Sequence, residues 1–200
     1  MPEPLKSRYE TPIPIGVSNR HVHLCQADWN FLFGEGTQPR KFRSVKQPGF
    51  WACYETVNLE GPKGKIENVR LIAPHRKKTQ VEIAKTDASQ LGLRPPVRGS
   101  GDLGGSSPIK ITGPKGTLEV KEGLVIASRH IHFSPSEAEA MGIREGEIVS
   151  VRAGIGGPRE LVFTNVLCRI STDFSLEFHI DTDEANAAWV KTGDYVYIQK

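Results

Sequence analysis

Four of the chain's six histidines fall in two short segments of matching pattern. Ser18-Asn19-Arg20-His21-Val22-His23-Leu24 lies near the start, and Ser128-Arg129-His130-Ile131-His132-Phe133-Ser134 lies past the middle. Successive side chains of an extended backbone alternate faces, so His21 and His23 share one face, as do His130 and His132. Each pair can therefore grip one transition-metal ion. A single His-x-His arises readily by chance. Two in matching context point to a pseudo-symmetric molecule with a metal site in each half.

The halves can be aligned on these segments. Each continues into a short helix and then a hairpin carrying Asn-Val (Asn68-Val69 and Asn165-Val166). Each closes with a related stretch, Val81 to Ala88 in the first half and Phe178 to Ala185 in the second. With one gap allowed, Glu82 falls where His179 falls. The expected ligand sets are His21, His23 and Glu82 for one metal, and His130, His132 and His179 for the other. Three protein ligands with an open position form the catalytic zinc pattern, whereas structural sites close with four. Imidazole with carboxylate suits Zn, Fe, Co or Ni alike. Cys25 sits where the chain should be turning into a helix and is expected to pack as a small hydrophobe. His75 is expected to be a partly exposed loop residue. A cupin would also offer His-x-His, but its Glu shortly after the second His is missing from Leu24 to Asp28.

Pro74-His75-Arg76-Lys77-Lys78 is the densest basic cluster, and Arg76 precedes Glu82 by six residues. A guanidinium stays charged and grips phosphate bidentately, so Arg76 suits an anionic substrate. Lys77 and Lys78 are expected to be solvated charge.

Short elements must hold these groups. Helical patterns cover Gln26 to Phe33, Asp87 to Leu91, Ser136 to Met141 and Asp183 to Val190. Ser134-Pro135 with Glu137 forms a capping signal for the third. Alternating runs separated by Gly-containing turns predict hairpins around Gly61-Pro62-Lys63-Gly64, Gly113-Pro114-Lys115-Gly116 and Gly154-Ile155-Gly156-Gly157. Many short strands with few helices predict a mainly β fold of small barrels. The expected division is 1–93 for the first barrel half, 94–108 for a Pro/Gly/Ser-rich crossover and 109–200 for the second half.

A hydrophobic fraction of 38% fits an ordinary soluble chain of one large or two small domains. The net charge of +3, with dispersed basic residues, excludes a nucleic-acid footprint. No apolar stretch is long enough to span a membrane. The three cysteines, Cys25, Cys53 and Cys168, are far apart and odd in number, which points to a reducing cytoplasm. Met1-Pro2-Glu3-Pro4-Leu5 has neither a secretory pattern nor room for a targeting helix.

Several longer motifs together resemble one family. Gly16 to Leu24, Gln80-Val81-Glu82-Ile83, Ser100-Gly101-Asp102-Leu103 and His179 to Ala188 look like the phosphate propanoyltransferase (phosphotransacylase) family of the PduL type. Gln47-Pro48-Gly49 and Asn68-Val69-Arg70 also fit, so that the resemblance runs from about Ile13 to the C-terminus. It implies two pseudo-symmetric β-barrel domains capped by short α-helices, and a two-zinc active site. It implies reversible acyl transfer between coenzyme A and inorganic phosphate, with a homo-oligomer as the expected assembly. By this resemblance the zincs fall to the two ligand sets above, and Arg76 matches the residue that holds phosphate. Coenzyme A contacts map to Val17, Ser18, Asn19, Arg70 and Asn186, and less securely to Lys63. Members found in bacterial microcompartments carry an N-terminal encapsulation peptide that this chain lacks. Either the N-terminus is trimmed, or the enzyme is expected to work free in a bacterial cytoplasm on acetyl-CoA rather than in a microcompartment lumen. Two rivals use the same ligands: a zinc-dependent thioester hydrolase and a non-catalytic metal-binding module.

Overall fold

A computed structural model describes residues 7–200; the proline-interrupted stretch Met1 to Leu5 lies outside them. Along the chain run β1 (Ile13–Ser18), β2 (His21–His23), α1 (Gln26–Phe33), β3 (Lys41–Ser44), β4 (Trp51–Gly61) and β5 (Gly64–Ala73). There follow β6 (Gln80–Glu82), α2 (Lys85–Leu91), β7 (Val97–Arg98), β8 (Ser107–Thr112) and β9 (Thr117–Ala127). The remainder is β10 (His130–Phe133), α3 (Pro135–Met141), β11 (Ile148–Ala153), β12 (Leu161–Ile170), β13 (Glu177–Asp181), α4 (Thr182–Ala188) and β14 (Tyr195–Ile198). All three expected hairpins form. So does the capping box at α3, where the Ser134 hydroxyl accepts from the Glu137 amide at 3.3 Å. No helix among the described residues is long and apolar enough to cross a membrane.

Backbone contacts divide the chain into Asn19–Ala127 and a unit made of the chain up to Ser18 with Ser128–Lys200. The discontinuous unit is a closed barrel in the order β1-β13-β10-β12-β11-β14, with β14 pairing back to β1. The Asn19–Ala127 unit closes through β4-β5-β2-β6-β9-β8, because β8 pairs with both β9 and β4; β3 and β7 are added at its edges. Two mainly β barrels with short helices are therefore present. Their boundaries differ from the linker-based division. Strand β1 pairs with β13 and β14 rather than with its sequence neighbours, and the hairpin β8–β9 completes the barrel of Asn19–Ala127.

Each barrel has its own apolar interior. Trp29, Leu32, Leu59, Leu91, Ile111 and Leu124 are among those filling one. Ile13, Ile15, Phe133, Phe178, Val151 and Val196 are among those filling the other. Burial of such side chains contributes about 1.5–3 kcal/mol apiece. This also fixes strand register. Val22 between its two histidines, and Ile131 between the other two, are fully buried (0% exposed), as are Val81 and Phe178 on the strands alongside. A one-residue slip would turn these apolar groups outward and the histidines into the core.

Candidate metal centres in two histidine clusters

The register of β2 and β6 sets His21 opposite Glu82 and His23 opposite Gln80. In the other barrel β10 and β13 repeat this, with His130 opposite His179 and His132 opposite Glu177. Both expected ligand sets come together. Within His21, His23 and Glu82, and within His130, His132 and His179, one potential ligand atom per residue lies within 4.8 Å of the others.

The donor separations fit a small tetrahedral ion. His21 Nε2 is 3.2 Å from His23 Nε2 and 3.6 Å from Glu82 Oε2. A tetrahedral ion with nitrogen ligands at about 2.0–2.1 Å has a ligand–ligand edge of about 3.3 Å. In the second cluster the ring centroids of His130, His132 and His179 are 4.6–4.9 Å apart. Both ring nitrogens of His132 are buried without a hydrogen-bond partner, an arrangement that costs free energy unless something else occupies them.

The leading histidine of each cluster is held alike. His21 Nδ1 donates to the Asn19 carbonyl and His130 Nδ1 to the Ser128 carbonyl, both at 2.8 Å. Each bond leaves Nε2 as the lone-pair nitrogen. Electrostatics keep the partners neutral. Burial, then His179, His130 and Arg169, pushes the His132 imidazole down to about 2. His23 is held well below its ordinary value by burial first, then by His21 and Arg76. A neutral imidazole is the form that ligates a metal.

A polar network surrounds Glu82. Gln80 Nε2 donates to Glu82 Oε1 at 2.6 Å, and the Ser100 hydroxyl donates to the same oxygen at 3.0 Å. Arg76 Nη1 donates to Gln80 Oε1 at 3.1 Å and to Ser100 Oγ at 3.3 Å. The half-buried Arg76 guanidinium is thus two hydrogen bonds from the cluster carboxylate. Lys77 and Lys78 are exposed, as expected. His75 is partly buried, its ring 5.2 Å from Trp29.

Among the other expected residues, Arg70 neighbours His21 in register. Its guanidinium donates to the carbonyls of Cys53 and Tyr54 and lies 4.9 Å from the Phe42 ring. Val17 and Ser18 end β1, the Val17 amide donating to Thr192 Oγ1, and Asn186 is exposed on α4. Asn19 supports His21 as above. Lys63 stands apart: it lies in the β4–β5 turn, its amide bound to the Leu91 carbonyl. From there to Arg70 is about 20 Å of strand, so Lys63 is not brought to the cluster. Cys25 precedes α1, its amide donating to Thr79 Oγ1 at 3.0 Å, and it joins neither cluster.

Six residues that brace the clusters were not singled out in the sequence: Arg20, Asp87, Arg129, Glu184, Gln80 and Glu177. Arg20 pairs with Asp87 at 3.1 Å and Arg129 with Glu184 at 2.9 Å. Asp87 and Glu184 in turn accept from the amides that open α2 and α4. The signal was an Arg directly before each His-x-His. Gln80 and Glu177, each two residues before a candidate ligand, follow from the same period-2 logic.

Residues 14–191 match the model of the phosphate propanoyltransferase family. The chain belongs to that family. It is accordingly an acyltransferase. The phosphate propanoyltransferase of Thermotoga maritima is 54% identical over 96% of this chain and 90% of that protein. The phosphate propanoyltransferase of Salmonella arizonae is 49% identical over 88% and 83%, and that of Listeria monocytogenes 45% identical over 92% and 85%. The family match spans every candidate metal-ligating residue and Arg76.

Proposed function

We propose that this enzyme reversibly transfers a short acyl group, propanoyl or acetyl, between coenzyme A and inorganic phosphate, with one zinc in each histidine cluster. The observation that carries the reading is the coincidence of family membership with two compact three-ligand clusters, one of them wired to an arginine. His21, His23 and Glu82 would hold one zinc, and His130, His132 and His179 the other. When bound, zinc supplies Lewis acidity for a thioester carbonyl and a soft partner for a departing thiolate.

The protein's own residues do the rest. Arg76 binds phosphate and aims one of its oxygens at the carbonyl carbon. As the new O–C bond forms and the C–S bond breaks, coenzyme A leaves as its thiolate and acyl phosphate remains. Gln80 and Ser100 fix the Arg76 fork, so its geometry is set before phosphate arrives. Positioning of this kind is worth about 7 kcal/mol or more of the barrier. Val17, Ser18, Asn19, Arg70 and Asn186 are assigned to coenzyme A. The bacterial relatives and the free thiols Cys25, Cys53 and Cys168 support a bacterial cytoplasmic location.

The test is thiol release from propanoyl-CoA and acetyl-CoA, with and without phosphate, before and after chelation. Release that needs both phosphate and metal is expected. Release indifferent to phosphate would make the enzyme a thioester hydrolase instead.

A further inference from the structure

Glu177 is a buried carboxylate, 5% exposed, that the ligand sets do not use. Its Oε2 lies 3.1 Å from His179 Nε2, yet the pair is not aligned as a hydrogen bond. Its place in the barrel is informative. Glu177 faces His132 as Gln80 faces His23, and His179 faces His130 as Glu82 faces His21. The first barrel thus carries amide and then carboxylate at these two positions, and the second carries carboxylate and then imidazole. Carboxylate and neutral group have exchanged places. Each cluster keeps two histidines on one strand and one carboxylate on the strand alongside.

We propose that Glu177 is the charge-balancing positioning residue of the second metal cluster. It supplies beside the ligands the negative charge that Glu82 supplies among them. A divalent ion among three neutral imidazoles would be buried with no anion, and Arg169, which bears on His132, adds positive charge nearby. The Glu177 carboxylate, 3.1 Å from His179 Nε2, offsets both and fixes the charge beside that ring. The chain makes room for it. A Cβ at Gly16, which pairs with His179 on the neighbouring strand, would lie 2.7 Å from the Glu177 carboxylate carbon.

This inference rests on the two-zinc reading, and the experiment separates them. In a Glu82→Ala background, which disables the first cluster, zinc affinity is measured by competition with a chromophoric chelator, and cobalt(II) is substituted to record its visible bands. Adding Glu177→Gln, of equal size but neutral, should weaken zinc binding by roughly ten- to a hundredfold and shift the cobalt bands. One tightly bound zinc with unchanged affinity and bands in both proteins overturns the proposal alone. No zinc in the Glu82→Ala parent sinks the two-zinc reading along with it. Should Glu177→Gln fail to fold, Gly16→Ala displaces the carboxylate without altering charge. Several-fold weaker zinc binding supports the proposal, and unchanged binding overturns it.

Discussion

The two barrels present the same strand pairing around the same His-x-His and surround it with different chemistry. In Asn19–Ala127 the cluster carboxylate is Glu82, and it is tied through Gln80 and Ser100 to Arg76. In the other barrel the corresponding position is His179, and the His132 ring stacks on Phe174 at 3.7 Å. One cluster opens onto a polar network that ends in a guanidinium. The other meets a stacked Phe174 ring and the Glu177 carboxylate. Duplicated register thus fixes where ligands stand, while the residues two positions away decide what each cluster handles.

The sharpest way to break the comparison is to remove one ligand from each side. Glu82→Ala and His179→Ala should each cost one of two bound zincs and, from lost Lewis-acid stabilisation of several kcal/mol, about 10³-fold or more in turnover. Metal content by atomic absorption checks it; a variant that keeps both metals refutes the ligand set it came from. Arg76→Ala comes next. Loss of charge-assisted hydrogen bonds worth about 1.5–3 kcal/mol should reduce kcat/KM for phosphate roughly 10- to 150-fold, with zinc content intact. Steady-state kinetics with varied phosphate tests this. Unchanged kinetics would void the phosphate assignment.

Acid should act on the metal-free protein in one direction. His132 drops from an ordinary value near 6.5 to about 2 on folding. The unfolded chain therefore binds more protons between those limits, and stability falls as pH falls. Above about pH 7 the contribution is fully present. Below it, the loss approaches about 1.4 kcal/mol per pH unit for each such histidine. Denaturant midpoints of chelated protein between pH 7 and pH 4 measure it, and a flat profile contradicts the buried neutral ring. The smallest effect concerns thiols. Burial raises Cys53 to about 11 and Cys168 to about 12. Of the three cysteines, only the half-buried Cys25 should label at pH 7.5 with a thiol reagent. Because Cys53 and Cys168 sit in different barrels, the order in which they become reactive in denaturant reports which barrel opens first.

Much of this was legible in the residues. Gly-punctuated alternation located the hairpins, a capping signal located α3, and the internal repeat located both three-residue clusters. Barrel membership was not legible. The passage from Ser18 to His21 carries no glycine or proline, yet it leaves one barrel for the other. The Pro/Gly/Ser-rich stretch that invited a boundary instead contributes β7 and Ser100 to the Asn19–Ala127 unit. Punctuation marks local bends, whereas domain membership follows strand pairing across more than a hundred residues. Gln80 and Glu177 stayed silent for the same reason, since their tasks depend on what lies across the ladder.

The early position of β1 has a consequence for synthesis. Its partners are β13 and β14, so β1 finds its barrel only after the whole of Asn19–Ala127 has been made. Meanwhile all six barrel strands of Asn19–Ala127 are already out, and that unit can close during translation. Strands β1 and β10 flank β13, so the two ends of this long insertion meet its host about 10 Å apart, two strand spacings. The nascent protein can therefore assemble the cluster with Glu82 well before the cluster beside Glu177 exists.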